Sequence, residues 1–306
     1  NILSAANAVI EQNRDRKAKN LWSEAGAGAS LVGYVAESEH DEAEFISGEI
    51  KKLSQDRISK YGDTAIFYRT NAQSRVFEEV FMRSGLPYKV VGGVRFYERR
   101  EIKDFLAYLK VLVNLEDEVS LRRIINVPKR GIGDRAIESI ESVAASRGLS
   151  FWQALNTVAN SPDLGGRATA SLSSFVSLIL ALNVLVEAGT KPSKILEATL
   201  EQSGLLAELQ NSNDPQDESR VENLQELVAV SMEYEEKPIE DLPEDSVISL
   251  GGFLEQVALV ADSDEIPEGE DHGGVITFMT LHTAKGLEFP TVFLTGMEDG
   301  IFPHAR

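Results

Sequence analysis

The strongest constraint on the fold is an interruption. Short runs of strand length and composition, Thr64-Ala65-Ile66-Phe67-Tyr68 and Tyr88-Lys89-Val90-Val91, stand early in the chain, and two more, Val275 to Met279 and Thr291 to Thr295, stand at its end. Their β-branched and aromatic content predicts buried strands. Between them, from Arg99 to about Ala261, nearly every segment repeats its apolar residues at helical spacing. Helices are predicted over Ile102–Leu115, Ile137–Ala145, Phe151–Ala159, Ala168–Glu187, Ile195–Leu209, Val221–Tyr234 and Phe253–Val260. The economical topology is an α/β domain with a parallel sheet, split by an all-helical insertion and completed by the last segment.

The ends and connections carry further signals. Asn1–Asn13 and Asp41–Leu53 have helical spacing, Ser30–Ala36 has the pattern of a strand, and a helix after Tyr68 stops at Gly85 with Pro87 beyond. Exposed loops are expected at Asn211–Pro215 and Lys237–Ser246, and an acidic hinge at Asp262–Gly274. At 306 residues the chain is long enough for two domains with separate cores. No apolar run is expected to span a membrane, and no signal peptide is expected. Cysteine is absent, which excludes disulfides and thiolate metal sites and fits a soluble, cytoplasmic protein.

The net charge of −19 argues at first against a nucleic-acid partner. Its distribution weakens the objection. Between Gln210 and His272 nineteen Asp or Glu face only Arg220 and Lys237, whereas from Ala65 to Leu149 fifteen Lys or Arg outnumber eleven acids. A basic working face can therefore stand beside an acidic, solvated one.

Three stretches carry candidate chemistry. Thr280, His282, Lys285, Gly286 and Glu288 follow the strand at Val275, and strand carboxyl ends are where open α/β sheets bind ligands; alternatively Lys285 and Glu288 are a solvated pair. Arg69 and Asn71, just after Tyr68, suit contacts to phosphate and sugar, or Asn71 caps the next helix while Arg75 pairs with Glu79. In Lys129-Arg130-Gly131-Ile132-Gly133-Asp134-Arg135 a glycine turn flanked by cations opens a helix, the arrangement that holds phosphates on free amides; the glycines could equally serve geometry alone. A fourth stretch, Val91–Asp104, joins sheet to insertion, and its Gly92-Gly93 pair and Arg95, Phe96 and Tyr97 read as a structural junction.

The string Thr280-Leu281-His282-Thr283-Ala284-Lys285-Gly286-Leu287-Glu288-Phe289-Pro290, continued to Ile301-Phe302-Pro303-His304, closely resembles motif V of the UvrD/PcrA/Rep helicases of superfamily 1. Tyr68 to Arg75 matches the family's YRTNAQSR segment, and the Gly131-Ile132-Gly133 turn resembles its duplex-contacting GIG element. The resemblance covers essentially the whole chain. It implies a RecA-like subdomain 2A at residues 1–99 and 273–306, split by a helical subdomain 2B at 100–272. By the same resemblance, Arg69, Asn71, Thr280, His282 and His304 meet single-stranded DNA. Lys129, Arg130, Gly131, Ile132, Gly133 and Arg135 meet duplex at a junction. Lys285 meets the nucleotide's γ-phosphate, Glu288 meets the ribose hydroxyl, and Gly286 belongs to the same nucleotide site.

No Gly-Lys-Ser/Thr occurs anywhere in the sequence, nor an apolar strand ending in Asp-Glu. The phosphate cradle and the Mg²⁺ ligands of an ATPase are therefore not complete here, and no metal site is expected. The resemblance places the family's adenine-stacking Asn-Tyr-Arg-Ser string before Asn1 and its motif VI arginine after Arg306. The expectation is one half of an ATP-dependent 3′–5′ DNA helicase of repair or replication, partnered by its first motor half and possessing a 2B surface for a repair protein. A non-catalytic DNA- or protein-binding module, or the helicase part of a recombination helicase–nuclease, are the competing readings.

Overall fold

A computed structural model describes residues 1–12, 21–24, 26, 28–161, 166–236, 248–261 and 273–302. Four strands form one parallel sheet in the order β2-β3-β1-β4: β1 is Thr64–Tyr68, β2 Tyr88–Val90, β3 Ile276–Thr280 and β4 Thr291–Leu294. Chain order and sheet order differ because β3 inserts between the two earliest strands. From Arg99 to about Ala261 nearly every segment is expected to be helical, and the described residues there form α4 (Arg100–Val113), α5 (Glu118–Ile124), α6 (Asp134–Arg147), α7 (Phe151–Ala159), α8 (Gly166–Glu187), α9 (Pro192–Ser203), α10 (Leu205–Gln210), α11 (Pro215–Glu236) and α12 (Leu250–Ala261).

Among the described residues there are two cores. In the first, Ile66 and Tyr68 of β1 and Ile276 and Phe278 of β3 pack against Ala43, Ile46 and Ile50 of α2 (Glu39–Gln55) and Val76, Phe77, Val80 and Phe81 of α3 (Ser74–Arg83). Burial on both faces explains why these strands are apolar runs rather than alternating ones. Ser38 starts α2 by accepting a hydrogen bond from the Asp41 amide, with Glu39, Asp41 and Glu42 in the first turn. The second core lies among the helices, from Ile102 and Phe105 of α4 through Leu155 and Phe175 to Leu227 and Phe253.

Three expectations are corrected, and one element is added. Residues 30–36 are not a strand: Val32 and Val35 are 86% and 94% exposed, and no described strand pairs with them. A strand needs a neighbour for its backbone groups, which local pattern cannot supply. The helix expected over Ile195–Leu209 is two, α9 and α10, because Gly204 takes φ +82° and ends the first. The short α5 went unforeseen. Finally, α8 is long and apolar enough to cross a membrane by length and composition, with no charge between Arg167 and Glu187. Its Leu172, Phe175, Val176, Ile179 and Leu182 are buried at helical spacing in the helical core, the pattern of a core helix. The loop expected at Lys237–Ser246 and most of the hinge expected at Asp262–Gly274 lie outside the described residues.

Candidate nucleic-acid and nucleotide interface

The carboxyl ends of β1, β3 and β4 meet. Tyr68 stands opposite Thr280 in the register of β1 and β3, so the loops that leave them begin side by side. The first is held by Gln73, whose Oε1 accepts hydrogen bonds from the amides of both Arg69 and Thr70 at 2.9 Å. Half-buried Arg69 and Asn71 sit at its rim, and the Asn71 amide makes a long 3.5 Å contact to the Ser219 hydroxyl of α11. Arg75 does pair with Glu79, at 3.3 Å, as one of several ion pairs.

The second loop winds tightly. The Leu281 amide donates to the Tyr68 carbonyl at 2.9 Å, and Ala284 and Leu287 amides donate to the carbonyls of Thr280 and Ala284 at 2.9 Å. Thr280 is the last residue of β3 rather than a residue beyond it, and its hydroxyl accepts from the Thr283 amide at 3.2 Å. Thr280 thus braces the turn. Ala284 is buried beneath it, and His282, Lys285, Gly286 and Glu288 all project into solvent. The third strand end is tied in by Thr295, whose amide and hydroxyl both donate to the Phe67 carbonyl at 3.0 and 3.1 Å. Glu42 of α2 accepts from the Gly296 amide at 3.2 Å. The result is a rigid floor of backbone hydrogen bonds presenting an imidazole, an ammonium and a carboxylate. His304 lies outside the described residues.

The glycine turn belongs to the helical body. Gly133 is the N-cap of α6, and the amides of Gly131 and Gly133 have no acceptor among the described residues. Exposed Lys129 and Arg135 flank them. Arg130 points the other way. Its guanidinium donates to the carbonyls of Ile124, Pro128 and Ser203 at 3.2, 3.2 and 3.0 Å and to the Tyr108 hydroxyl at 2.5 Å, and it lies 5.3 Å from the Phe175 ring. Ile132 is buried too. Of the six expected duplex residues, then, Arg130 and Ile132 anchor the loop while Lys129, Gly131, Gly133 and Arg135 face outward.

Gln73, Glu42 and Thr295 were not singled out by sequence. A signal existed for the first: Thr70-Asn71-Ala72-Gln73 has the Thr-x-x-Gln spacing by which a glutamine reaches back to the start of a helical turn.

The profile of the UvrD-like helicase C-terminal domain matches residues 1–165 and 168–306. The chain belongs to that family. Similar proteins include ATP-dependent DNA helicase UvrD1 of Mycobacterium tuberculosis, 51% identical over 318 residues, and UvrD1 of Mycobacterium leprae, 47% identical over 322 residues. ATP-dependent DNA helicase PcrA of Bacillus subtilis is 42% identical over 308 residues. Each alignment takes in all of this chain but only 40%, 41% and 40% of the relative, so the chain spans about two-fifths of the curated relatives' length. Family membership bears out the resemblance drawn from the motif strings.

Proposed function

We propose that this chain supplies one side of the motor of an ATP-dependent DNA helicase that moves 3′ to 5′ along a single strand, with the sheet body as subdomain 2A (1–99 and 273–306) and the helices as 2B (100–272). The observation that carries the reading is the common origin of the two candidate loops, which leave neighbouring parallel strands at the same end. Arg69 and Asn71 hold phosphate and sugar of the single strand without reading bases, and His282 and His304 extend that path, with Thr280 supporting His282 from below.

Lys285 and Glu288 face the nucleotide. An exposed ammonium and carboxylate three residues apart suit a triphosphate and a ribose hydroxyl respectively, with Gly286 letting the backbone approach. Bound ATP supplies the phosphoryl group whose transfer drives the motor. Mg²⁺ ligands and the phosphate cradle are assigned to the first motor half, because this sequence carries neither a Gly-Lys-Ser/Thr string nor an apolar strand ending in Asp-Glu. Lys129, Arg135 and the amides of Gly131 and Gly133 hold duplex backbone at a single-strand/double-strand junction. A repair protein docked on 2B, and a cytoplasmic location, complete the proposal.

Anisotropy of a fluorescent oligothymidylate titrated with the chain tests it. Arg69→Ala, Asn71→Ala and His282→Ala should each weaken binding several-fold and leave the thermal midpoint in place. Binding that survives all three unchanged would remove the single-strand path from this sheet edge.

A further inference from the structure

Two arginines join the sheet body to α11, and they do different things. Arg99, the N-cap of α4, lies within the connection itself. Its guanidinium donates to Asn223 of α11 at 2.7 Å and to Ser74 of α3 at 2.8 Å, and Asn223 donates in turn to Glu101 at 2.6 Å. Ser74 donates to the buried Glu78 at 2.6 Å, whose other oxygen accepts from the Phe96 amide at 3.0 Å. This is a fixed, fully paired pivot.

Arg75, the next residue of α3 after Ser74, makes a second set of contacts. Its side chain is 1% exposed, yet it is ringed by four carboxylates from three helices: Glu226 at 2.6 Å and Glu233 at 2.8 Å from α11, Glu39 at 3.2 Å from α2 and Glu79 at 3.3 Å from α3. Tyr97 donates to Glu79 at 3.0 Å, and the His40 imidazole lies 4.0 Å from Glu233. One guanidinium can satisfy four carboxylates geometrically. It cannot neutralise them, and like charges crowded around a buried site repel one another.

We propose that Arg75 is the latch by which the sheet body grips the helical body, and that surplus negative charge weakens it, so that neutralising Glu39 tightens the grip instead of loosening it. Glu39 is the surplus member. It comes from the sheet side and is the most exposed of the four, so it adds repulsion toward Glu226 and Glu233 without itself bridging to α11. Although its side chain is 56% exposed, the crowding of protein around its carboxyl first, then the charge of Glu226, push it up to about 7, against a smaller opposite pull from Arg75. A carboxyl whose folded pKa is raised contributes stability that is complete below its ordinary value and lost as pH rises through the raised one. The latch therefore holds best in mild acid and slackens through neutrality.

The chain has no cysteine, so Lys89→Cys and Glu138→Cys, both exposed and one on each body, give a unique donor–acceptor pair for single-molecule energy transfer. Arg75→Gln should reduce the population at the latched distance by about tenfold, the middle of the range for coupled charge pairs, with Arg75→Lys in between. Glu226→Gln should also loosen it, while Glu39→Gln should enlarge and narrow the latched population. Raising the pH from about 6 to about 8.5 should loosen the parent chain, and Glu39→Gln should flatten that response. Circular dichroism checks that each variant is folded, and exposed Glu39→Gln together with half-buried Glu226→Gln keeps the test open if Arg75→Gln does not fold. An unchanged distance distribution in Arg75→Gln, or a loosening in Glu39→Gln as large as in Glu226→Gln, overturns the latch.

Discussion

Replacing Gln73 by alanine isolates the brace beneath the proposed single-strand loop. Its Oε1 accepts from two amides, Arg69 and Thr70, each at 2.9 Å, and the side chain is half-buried, so water replaces it imperfectly. At about 0.5–1.5 kcal/mol net per hydrogen bond, two lost bonds raise the local opening free energy cost by roughly 1–3 kcal/mol in the parent relative to the variant. Amide exchange at Arg69 and Thr70 in Gln73→Ala should then run about 5- to 150-fold faster, while β1 and β3 amides keep their protection. Gln73→Glu retains the acceptor and should restore most of it. Oligothymidylate affinity should fall in parallel, because Arg69 and Asn71 lose the floor that orients them. Unaltered exchange at both amides would show that the loop is held by its strand connections alone.

Other consequences follow from the same geometry. Lys285→Ala and Glu288→Ala, both at exposed positions, should move stability by under about 0.5 kcal/mol while sharply lowering ATP turnover of the intact helicase; equal losses in both would make them structural residues. Lys129→Ala and Arg135→Ala should weaken junction binding and flatten its salt dependence by about 0.9 per lost phosphate contact, leaving single-strand affinity in place. Arg130→Ala should instead cost about 2–4 kcal/mol in denaturant unfolding, since a half-buried guanidinium with four hydrogen bonds leaves its partners unpaired. Gly274→Ala should be strongly destabilising by thermal melt: its φ is +111°, and an added Cβ would stand 3.0 Å from the Gly62 backbone, which cannot give way like a side-chain tip.

Much of this arrangement was legible in the sequence, and the failures have physical causes. Strands β1 and β3 were readable because burial on both faces leaves an apolar run with no other explanation, and the strand–helix alternation then implied parallel pairing. Residues 30–36 carry the same local pattern and fail, since pairing is a property of two segments. Gly204 divides α9 from α10 although the apolar spacing continues across it, because periodicity does not register a single left-handed residue. At the site, the exposure of His282, Lys285 and Glu288 agrees with a polar strand-end turn. The inward turn of Arg130 was invisible. A cation next to glycines looks the same whether it reaches for phosphate or for the carbonyls of Ile124 and Ser203, and only the position of α9 and Tyr108 separates the two.

The central claim is that this chain offers one face of a nucleotide cleft and of a single-strand path, and that catalysis needs the other face. Phosphoryl transfer requires a phosphate cradle, a positioned metal ion and a water-orienting group, and Lys285 and Glu288 supply none of these alone. Steady-state ATP turnover by the purified chain, with and without single-stranded DNA and then with the first motor half added in trans, tests this most directly. The account predicts no turnover by the chain alone and DNA-stimulated turnover in the mixture that Lys285→Ala abolishes. DNA-stimulated turnover by the chain alone would contradict it.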